Sequence, residues 1–232
     1  MIDFNKIKVI SFDADDTLWQ NENLFRQAEK IFCKMMQKYT EKEKALKILW
    51  KAEVKNIPLY GYGIKAFVLD MLDAGLKISK NQLTSDETGK IIKLGKTLIK
   101  SPIVLFEGAE NTLKKLSKKY KLIVTTKGDL LEQENKVYRS GLTKYLHHIE
   151  VMSEKDKKSY ARLLKELNIK PEEFLMVGNS VKSDILPVLS LGANAVFIPS
   201  KLTWFYEGGD TKKIPPHKYL KLKDITELLK FL

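Results

Sequence analysis

Short apolar runs that alternate with helical patterns constrain the fold of this chain more than any other feature of its sequence. These runs are predicted to be strands: the first ends near Phe12, and the others are Leu122–Thr125, Ile149–Met152, Phe174–Val177 and Ala195–Ile198. Helical patterns separate the later runs from one another, which is typical of βαβ units. Strands that are apolar on both faces are typical of a parallel sheet covered by helices on both sides. The sequence therefore predicts an α/β protein.

The stretch between the first strand and the later ones has a different character. Its apolar residues recur at helical spacing, and no strand is predicted in it. Pro58 interrupts the pattern, and the segment "YGYG" at residues 60–63 is expected to form a flexible joint. We therefore predict an all-helical cap domain at residues 20–100, inserted into a sheet domain made of residues 1–19 and 101–232.

Composition and charge narrow the class of protein. Hydrophobic residues make up 44% of the 232-residue chain, which is enough for a real core. No apolar run is long enough to span a bilayer, and the first residues lack a signal-peptide core, so a cytoplasmic protein without a membrane partner is expected.

Cys33 is the only cysteine, which excludes an internal disulfide. The formal net charge is +12, but the lysines are spread over many segments without a nucleic-acid motif, so no nucleic-acid partner is expected.

Three carboxylates follow the first predicted strand in the stretch "SFDADDTLW". Asp13, Asp15 and Asp16 lie within four residues of one another, where like charges repel and shift each other's pKa. One or two aspartates after a strand usually indicate only a turn. In an α/β sheet, however, ligands bind outside the carboxyl ends of the strands. Paired carboxylates there suit a nucleophile beside an acid/base, or a metal ion, with Mg²⁺ or Ca²⁺ favoured over zinc by the oxygen ligands.

Polar residues also follow three of the later strands. Thr125 and Thr126 end one strand, Lys155 lies in a loop before a helix together with Lys157 and Lys158, and "GNSVKSD" at residues 178–184 follows a third strand. Each has an ordinary structural interpretation: a strand-end threonine, a surface lysine cluster, and an Asn-Ser helix cap at Asn179 and Ser180. Their order along the chain makes a shared site the stronger interpretation.

Together these segments resemble the four motifs of the haloacid dehalogenase (HAD) superfamily. "DADDT" matches the family's DxDxT motif, and Thr125 matches the second motif. Lys155 is the best match to the third motif, with Lys157 and Lys158 as the alternatives. "GNSVKSD" is similar to the acidic fourth motif, with Asn179 in place of an aspartate. A further likeness to a group of HAD-like hydrolases lies in Thr203, Trp204 and Glu207. The resemblance implies a Rossmann-like parallel sheet core with an inserted helical cap.

The resemblance also implies a mechanism. Asp13 is expected to be the nucleophile that forms an aspartyl-phosphate, and Asp15 the acid/base. Thr125 is expected to donate a hydrogen bond to the phosphoryl group, and Lys155 to balance its charge. Mg²⁺ is the implied cofactor, held by Asp13, the backbone carbonyl of Asp15, and the acidic motif with Asn179 and Asp184 as ligands. Asp16 and Thr17 are expected to fix the turn.

The implied activity is that of a phosphatase, which hydrolyses the phosphate ester of a small metabolite. The true dehalogenases of the family lack the second acid, which this chain has at Asp15. Two alternatives stay open: a phosphomutase of the same fold, and a non-catalytic binding or regulatory protein, which Asn179 favours. Substrate binding is predicted for Thr126 and for the glycine-flanked Tyr60 and Tyr62, whose rings offer an apolar face and a polar tip.

Overall fold

The computed structural model describes residues 2–208 and 219–232. The chain forms two compact units. One consists of Met1–Glu22, Ile103–Lys127 and Gln133–Leu232, and the other of Asn23–Pro102 and Gly128–Glu132.

The first unit contains a sheet of six parallel strands in the order β3-β2-β1-β4-β5-β6. All its pairings are parallel. The predicted parallel α/β sheet is therefore confirmed. The strands are β1 (Val9–Phe12), β2 (Lys121–Lys127), β3 (His148–Met152), β4 (Phe174–Gly178), β5 (Asn194–Phe197) and β6 (Leu220–Lys221).

Alternate residues of the inner strands pack into separate cores on the two faces of the sheet. Ile10 and Phe12 of β1 belong to one buried cluster, whereas Val9 belongs to another. Continuously apolar strands are explained by this arrangement, because each face needs its own apolar side chains. Among the described residues outside the second unit, the α-helices are α5 (Ala109–Leu116), α7 (Lys157–Glu166) and α8 (Leu186–Leu189), and α6 covers Leu130–Arg139.

The strand register brings the predicted site residues to one edge of the sheet. Phe12, the last residue of β1, is paired with Val124 of β2 on one side and with Val177 of β4 on the other. Because the strands are parallel, the residues that follow these three positions lie at the same carboxyl edge. Those residues are Asp13, Thr125 and Gly178.

The longer segment of the second unit, Asn23–Pro102, is helical. Its helices are α2 (Lys42–Tyr60), α3 (Ile64–Ser79) and α4 (Ser85–Lys100), together with most of α1 (Glu22–Met36). They share one apolar cluster that includes Phe32, Leu49 and Met71, each without exposed surface. Cys33 is buried there as a free thiol. In the described part of the chain, no helix is both long enough and apolar enough to cross a membrane.

Residues 128–132 cluster with these helices, although the sequence assigns them to the sheet domain. Two contacts explain the clustering. The carboxylate of Glu132 accepts a hydrogen bond from the backbone N–H of Ile64 at 2.8 Å, and Asp129 pairs with Lys65 at 2.7 Å. These contacts depend on the folded chain, and sequence spacing gives no sign of them.

Three local features differ from the sequence expectations. Pro58 lies inside α2 rather than interrupting it, and the helix continues to Tyr60, where the N–H of Gly61 bonds to the carbonyl of Ile57 at 2.9 Å. The helical pattern that follows the strand at Phe174–Val177 does not form one regular helix: it forms a π-helical turn, Val181–Ile185, followed by the short α8. The two-residue β6 was not predicted, because so short a strand leaves no periodic pattern.

A buried carboxylate of α3 should lower the stability of the protein at neutral pH. Asp70 is 4% exposed, and its carboxylate accepts a hydrogen bond from the Asn56 amide at 2.8 Å. Burial raises the pKa of Asp70 from 3.8 to about 6. Between these two pKa values the folded state holds a proton that the unfolded state releases, so the contribution of Asp70 to stability is greatest below about pH 4 and is lost as the pH rises through about 6.

Asp70→Asn removes the charge and keeps an oxygen for Asn56. We expect the variant to be more stable than the wild type at pH 7, by on the order of 2 kcal/mol, and the gain to vanish near pH 4. Urea unfolding at both pH values measures this. Asp73→Asn is the control, because Asp73 is exposed and its carboxylate also accepts a hydrogen bond from Asn56, at 2.9 Å. This variant should give a smaller gain in stability. A loss of stability at pH 7 in Asp70→Asn would contradict the prediction.

Candidate active site

Asp13 is fixed at the carboxyl edge of the sheet by its backbone and its side chain. Its N–H donates to the carbonyl of Val177 at 2.8 Å, which extends the β1–β4 pairing by one residue. Its carboxylate accepts from the Thr17 hydroxyl at 3.0 Å and from the Lys155 ammonium at 2.5 Å. The side chain is 10% exposed, so it is largely withdrawn from water. A carboxylate held in this way is oriented for attack on a bound electrophile.

Lys155 joins two carboxylates that are far apart in the sequence. Its ammonium group contacts Oδ1 of Asp13 at 2.5 Å and Oδ1 of Asp184 at 2.7 Å, and its side chain is 2% exposed. Lys157 and Lys158 are exposed at the start of α7. Among the three lysines of this loop, Lys155 is thus the one that contacts Asp13.

The turn after β4 places Asp184 beside Lys155. The backbone N–H of Ser180 donates to Oδ2 of Asp184 at 2.9 Å, and the N–H of Asp184 donates to the carbonyl of Ser180 at 2.8 Å. A Cβ atom at Gly178 would lie 2.3 Å from Oδ2 of Asp184, which is closer than two non-bonded atoms approach each other. Glycine is required here because the Asp184 carboxylate packs directly against the backbone.

The cluster formed by Asp13, Lys155 and Asp184 holds two carboxylates and one ammonium. Burial raises the pKa of Asp13 to about 7, although Lys155 acts in the opposite direction. The pKa of Lys155 is held well above its ordinary value by the two carboxylates, against the effect of burial, so this lysine stays charged. With both aspartates ionised, one negative charge in the cluster has no compensating partner.

Asp15 lies only two residues from Asp13 but in a different electrostatic environment. Its carboxylate accepts from Trp19 Nε1 at 2.7 Å, from Gln133 Nε2 at 2.9 Å and from the Lys136 ammonium at 2.9 and 3.0 Å. Burial acts to raise the pKa of Asp15, but Lys136 and these hydrogen bonds outweigh it and lower the pKa below its ordinary value. Asp15 is therefore ionised and fixed in one orientation.

The remaining residues of "DADDT" shape the turn. Asp16 has a positive φ of 61°, and its carboxylate accepts from the backbone N–H groups of Asn21 and Glu22 at 3.0 and 2.9 Å. Burial raises the pKa of Asp16 to about 6. Thr17 donates to Asp13 and lies 3.3 Å from Oδ1 of Asn179. These contacts hold the loop between β1 and α1.

The two threonines near the end of β2 differ in their contacts. Thr125 is fully buried, and its hydroxyl pairs with that of Ser11 at 2.6 Å, with either oxygen able to donate. Thr125 retains a proton for a further acceptor when Ser11 donates to it. The Thr126 hydroxyl makes a long contact of 3.4 Å with the carbonyl of Lys127. The predicted roles of both threonines stay predictions.

Several oxygen atoms at this edge fit the Mg²⁺ that the sequence resemblance implies. The carboxylates of Asp13 and Asp184 meet at Lys155, and Oδ1 of Asn179 is brought to Asp13 through Thr17. Among the described residues no group of three or more His, Cys, Asp or Glu side chains is arranged as a metal site, so the donor set depends on Asn179 and on the predicted backbone carbonyl of Asp15. Hard oxygen donors suit Mg²⁺, and with both aspartates ionised they also carry a negative charge that the cation compensates. The four predicted metal ligands stay a prediction.

Sequence reasoning missed the residues that surround Asp15. Gln133 and Lys136 are one helical turn apart on α6 and are 2% and 8% exposed. Polar residues at positions of a helix that should face a core were the available signal. Tyr60, the last residue of α2, and Tyr62 belong to the helical unit, and their predicted role in substrate binding stays a prediction.

An α/β fold with this charge cluster at the carboxyl edge of its sheet has the features of the hydrolases that the sequence resembles. The chain belongs to the haloacid dehalogenase-like hydrolase family, whose model matches residues 7–192. The expected family and the assignment as a HAD-like hydrolase are thereby confirmed.

Individual relatives agree with this family. The chain is 26% identical to glyceraldehyde 3-phosphate phosphatase from Methanothermobacter thermautotrophicus, over 85% of this chain and 88% of the relative. It is 23% identical to 5-amino-6-(5-phospho-D-ribitylamino)uracil phosphatase YigB from Escherichia coli, over 97% of each chain. The crystal structure of a haloacid dehalogenase-like family hydrolase from Xanthomonas campestris is similar with a TM-score of 0.85 and 30% identity, over 96% of this chain and 88% of that one. The predicted fold class, a HAD-like parallel sheet with a helical insertion, is confirmed.

Lys155→Met should leave two buried carboxylates without their shared cation. We expect the free energy of unfolding to fall by about 3–5 kcal/mol when no divalent cation is present, because the methionine fills the space but carries no charge. Lys157→Met and Lys158→Met are the matched controls, and at exposed positions they should change stability by less than about 0.5 kcal/mol. Urea unfolding in the presence of a chelator provides the measurement. A larger loss in Lys158→Met than in Lys155→Met would exclude Lys155 as the buried partner.

Proposed function

We propose that this chain is a Mg²⁺-dependent phosphatase that hydrolyses a small phosphorylated metabolite through an aspartyl-phosphate intermediate. The observation that supports the proposal most strongly is the buried contact of Lys155 with both Asp13 and Asp184, next to a separately held Asp15. This arrangement offers a nucleophile, a cation and a second carboxylate at one edge of the sheet. Family membership and the phosphatase activities named for the relatives give independent support.

In the first half-reaction, a carboxylate oxygen of Asp13 attacks phosphorus. A bond forms between Asp13 and phosphorus, and the bond between phosphorus and the leaving oxygen breaks. Asp15, in the protonated form that the second half-reaction of the preceding turnover regenerates, gives its proton to the leaving oxygen, which departs as an alcohol and leaves Asp15 as a carboxylate. Lys155 and the Thr125 hydroxyl stabilise the charge on the phosphoryl oxygens.

In the second half-reaction, water attacks the phosphorus of the intermediate. Asp15 takes a proton from that water, the bond to Asp13 breaks, and inorganic phosphate leaves. The hydrogen bonds from Lys136, Gln133 and Trp19 favour the ionised form of Asp15, which is the form this step needs. The hydrogen bonds from Lys136, Gln133 and Trp19 also disfavour the protonated form of Asp15, which the first step needs. The rate at which the leaving group departs therefore depends on the fraction of Asp15 that is protonated.

The residues that would hold Mg²⁺ are Asp13, Asn179 and Asp184, with the backbone carbonyl of Asp15. When bound, the ion supplies positive charge that compensates the excess carboxylate and the substrate phosphate. Asn179 contributes an oxygen but no charge, which leaves Asp184 as the second anionic ligand.

The proposed substrate class is a phosphate monoester of a small metabolite. One relative is named for glyceraldehyde 3-phosphate and another for a phosphorylated ribitylamino-uracil. Tyr60, Tyr62 and Thr126 are proposed to contact the substrate. A screen of small phosphate esters, read by inorganic phosphate release, identifies the preferred one and separates hydrolysis from phosphoryl transfer to a sugar phosphate by a mutase.

Asp13→Asn should abolish Mg²⁺-dependent phosphate release. The amide is a poor nucleophile and lacks the charge that Lys155 and the metal require, so we expect a loss of at least about 10³-fold in kcat. Phosphate release from a chromogenic ester with Mg²⁺ or with chelator measures it. Asp224→Asn, at a half-buried helix cap elsewhere in the same unit, is the control and should retain wild-type turnover. Unchanged turnover in Asp13→Asn would end the assignment of Asp13 as nucleophile.

Asn179→Asp should tighten Mg²⁺ binding. A carboxylate adds a charge to the donor set, and we expect the half-saturating Mg²⁺ concentration to fall by about tenfold, whereas Asp184→Asn should nearly eliminate binding. Titration of activity against Mg²⁺, together with calorimetric Mg²⁺ titration of each variant, provides the measurement. If Asn179→Asp leaves both values unchanged, Asn179 is not a ligand, and its contact with Thr17 is structural.

A further inference from the structure

Glu207 is a largely buried carboxylate outside the predicted catalytic set. Its side chain is 16% exposed and contacts the ammonium of Lys127 through Oε1. Its Oε2 accepts from the hydroxyl of Ser180 at 2.7 Å and from that of Ser183 at 2.5 Å. Both oxygens are therefore occupied by buried or half-buried partners.

The two serines that bind Glu207 belong to the turn that carries Asp184. The N–H of Ser180 donates to Oδ2 of Asp184 at 2.9 Å, and the Ser180 hydroxyl accepts from the N–H of Ser183 at 3.1 Å. A shift of either serine would therefore move the group that holds the Asp184 carboxylate. Glu207 is thus connected to Asp184 through hydrogen bonds, without touching it.

Further contacts attach the segment around Glu207 to the same turn. The Ser180 hydroxyl lies 3.2 Å from the backbone carbonyl of Glu207, and the ammonium of Lys182 lies 3.3 Å from the ring centre of Tyr206. A cation over an aromatic ring is an attractive contact. The turn is thus held by both a carboxylate and an aromatic ring from one segment.

Lys127 supplies the charge that Glu207 needs in this environment. Its ammonium also contacts Glu154 at 3.3 Å and the Ser183 hydroxyl at 3.0 Å. Burial acts to raise the pKa of Glu207, but Lys127 and the two serine hydroxyls outweigh it and lower the pKa. Glu207 is ionised and can only accept hydrogen bonds, so both serine hydroxyls are fixed as donors toward it.

We propose that Glu207 is a positioning residue that orders the turn of residues 179–184, so that Asp184 is held toward Lys155 and the Mg²⁺ site. The consequence for Mg²⁺ and turnover rests on the proposed phosphatase function. The ordering of the turn does not depend on that function.

Glu207→Gln tests the ordering directly, with Glu154→Gln as the matched control. Both variants remove one carboxylate charge from Lys127, but only Glu207 binds the serines. A single amide oxygen can serve either Lys127 or the serines, so the turn should loosen. Hydrogen–deuterium exchange followed in peptides covering residues 178–186 should be at least about fivefold faster in Glu207→Gln and within about twofold of wild type in Glu154→Gln.

Ser183→Ala breaks one link of the same connection with little change in volume, and it serves the test if Glu207→Gln does not fold. We expect faster exchange in the same peptides. The proposal would be overturned if these peptides exchange as slowly in the folded Glu207→Gln and Ser183→Ala variants as in the wild type. It would also be overturned if Glu154→Gln accelerates their exchange as much as Glu207→Gln does.

Calorimetric Mg²⁺ titration and ester kinetics give the second measurement. Glu207→Gln should weaken Mg²⁺ binding by about threefold or more while the KM for the ester at saturating Mg²⁺ changes by less than about twofold. A protein that hydrolyses no ester but shows the exchange difference would refute the phosphatase and retain the positioning role. An active phosphatase without the exchange difference would support the phosphatase function and refute the positioning role of Glu207.

Discussion

Compensation of buried negative charge at the carboxyl edge of the sheet is the interaction on which the rest of this structure depends. Asp13 and Asp184 lie in surroundings that penalise charge, and the ammonium of Lys155 is the cation that holds them together. Removing a charge from water is costly unless a partner compensates it. The turn after β4, the requirement for Gly178, and the burial of Lys155 all serve to bring these three groups into contact.

The parallel sheet is what makes this compensation possible. Lys155 is 142 residues from Asp13 and 29 from Asp184 in the sequence. Because β1, β3 and β4 are parallel strands of one sheet, all three end at one edge, and the loops that follow them carry Asp13, Lys155 and Asp184. The two faces of the sheet are packed by separate apolar clusters, which fix the strands in register.

Two aspartates separated by one residue are given opposite properties by their neighbours. Burial raises the pKa of Asp13, whereas Lys136, Gln133 and Trp19 lower that of Asp15. The backbone turn directs the two side chains to different partners, and those partners come from different parts of the chain. In the proposed mechanism the ionised form of Asp15 is the one that takes a proton from water in the second half-reaction.

The sequence by itself determined the α/β class, the helical insertion and the motif residues Asp13, Asp15, Lys155 and Asp184, because strand and helix periodicity and short motifs are local properties. It did not determine which groups surround them. Lys136 and Gln133 on Asp15, and Glu207 on Ser180 and Ser183, are contacts between distant segments that no spacing encodes. The π-helical form of residues 181–185 was likewise decided by tertiary structure, in which Asp184 must bend back to the N–H of Ser180 and to Lys155.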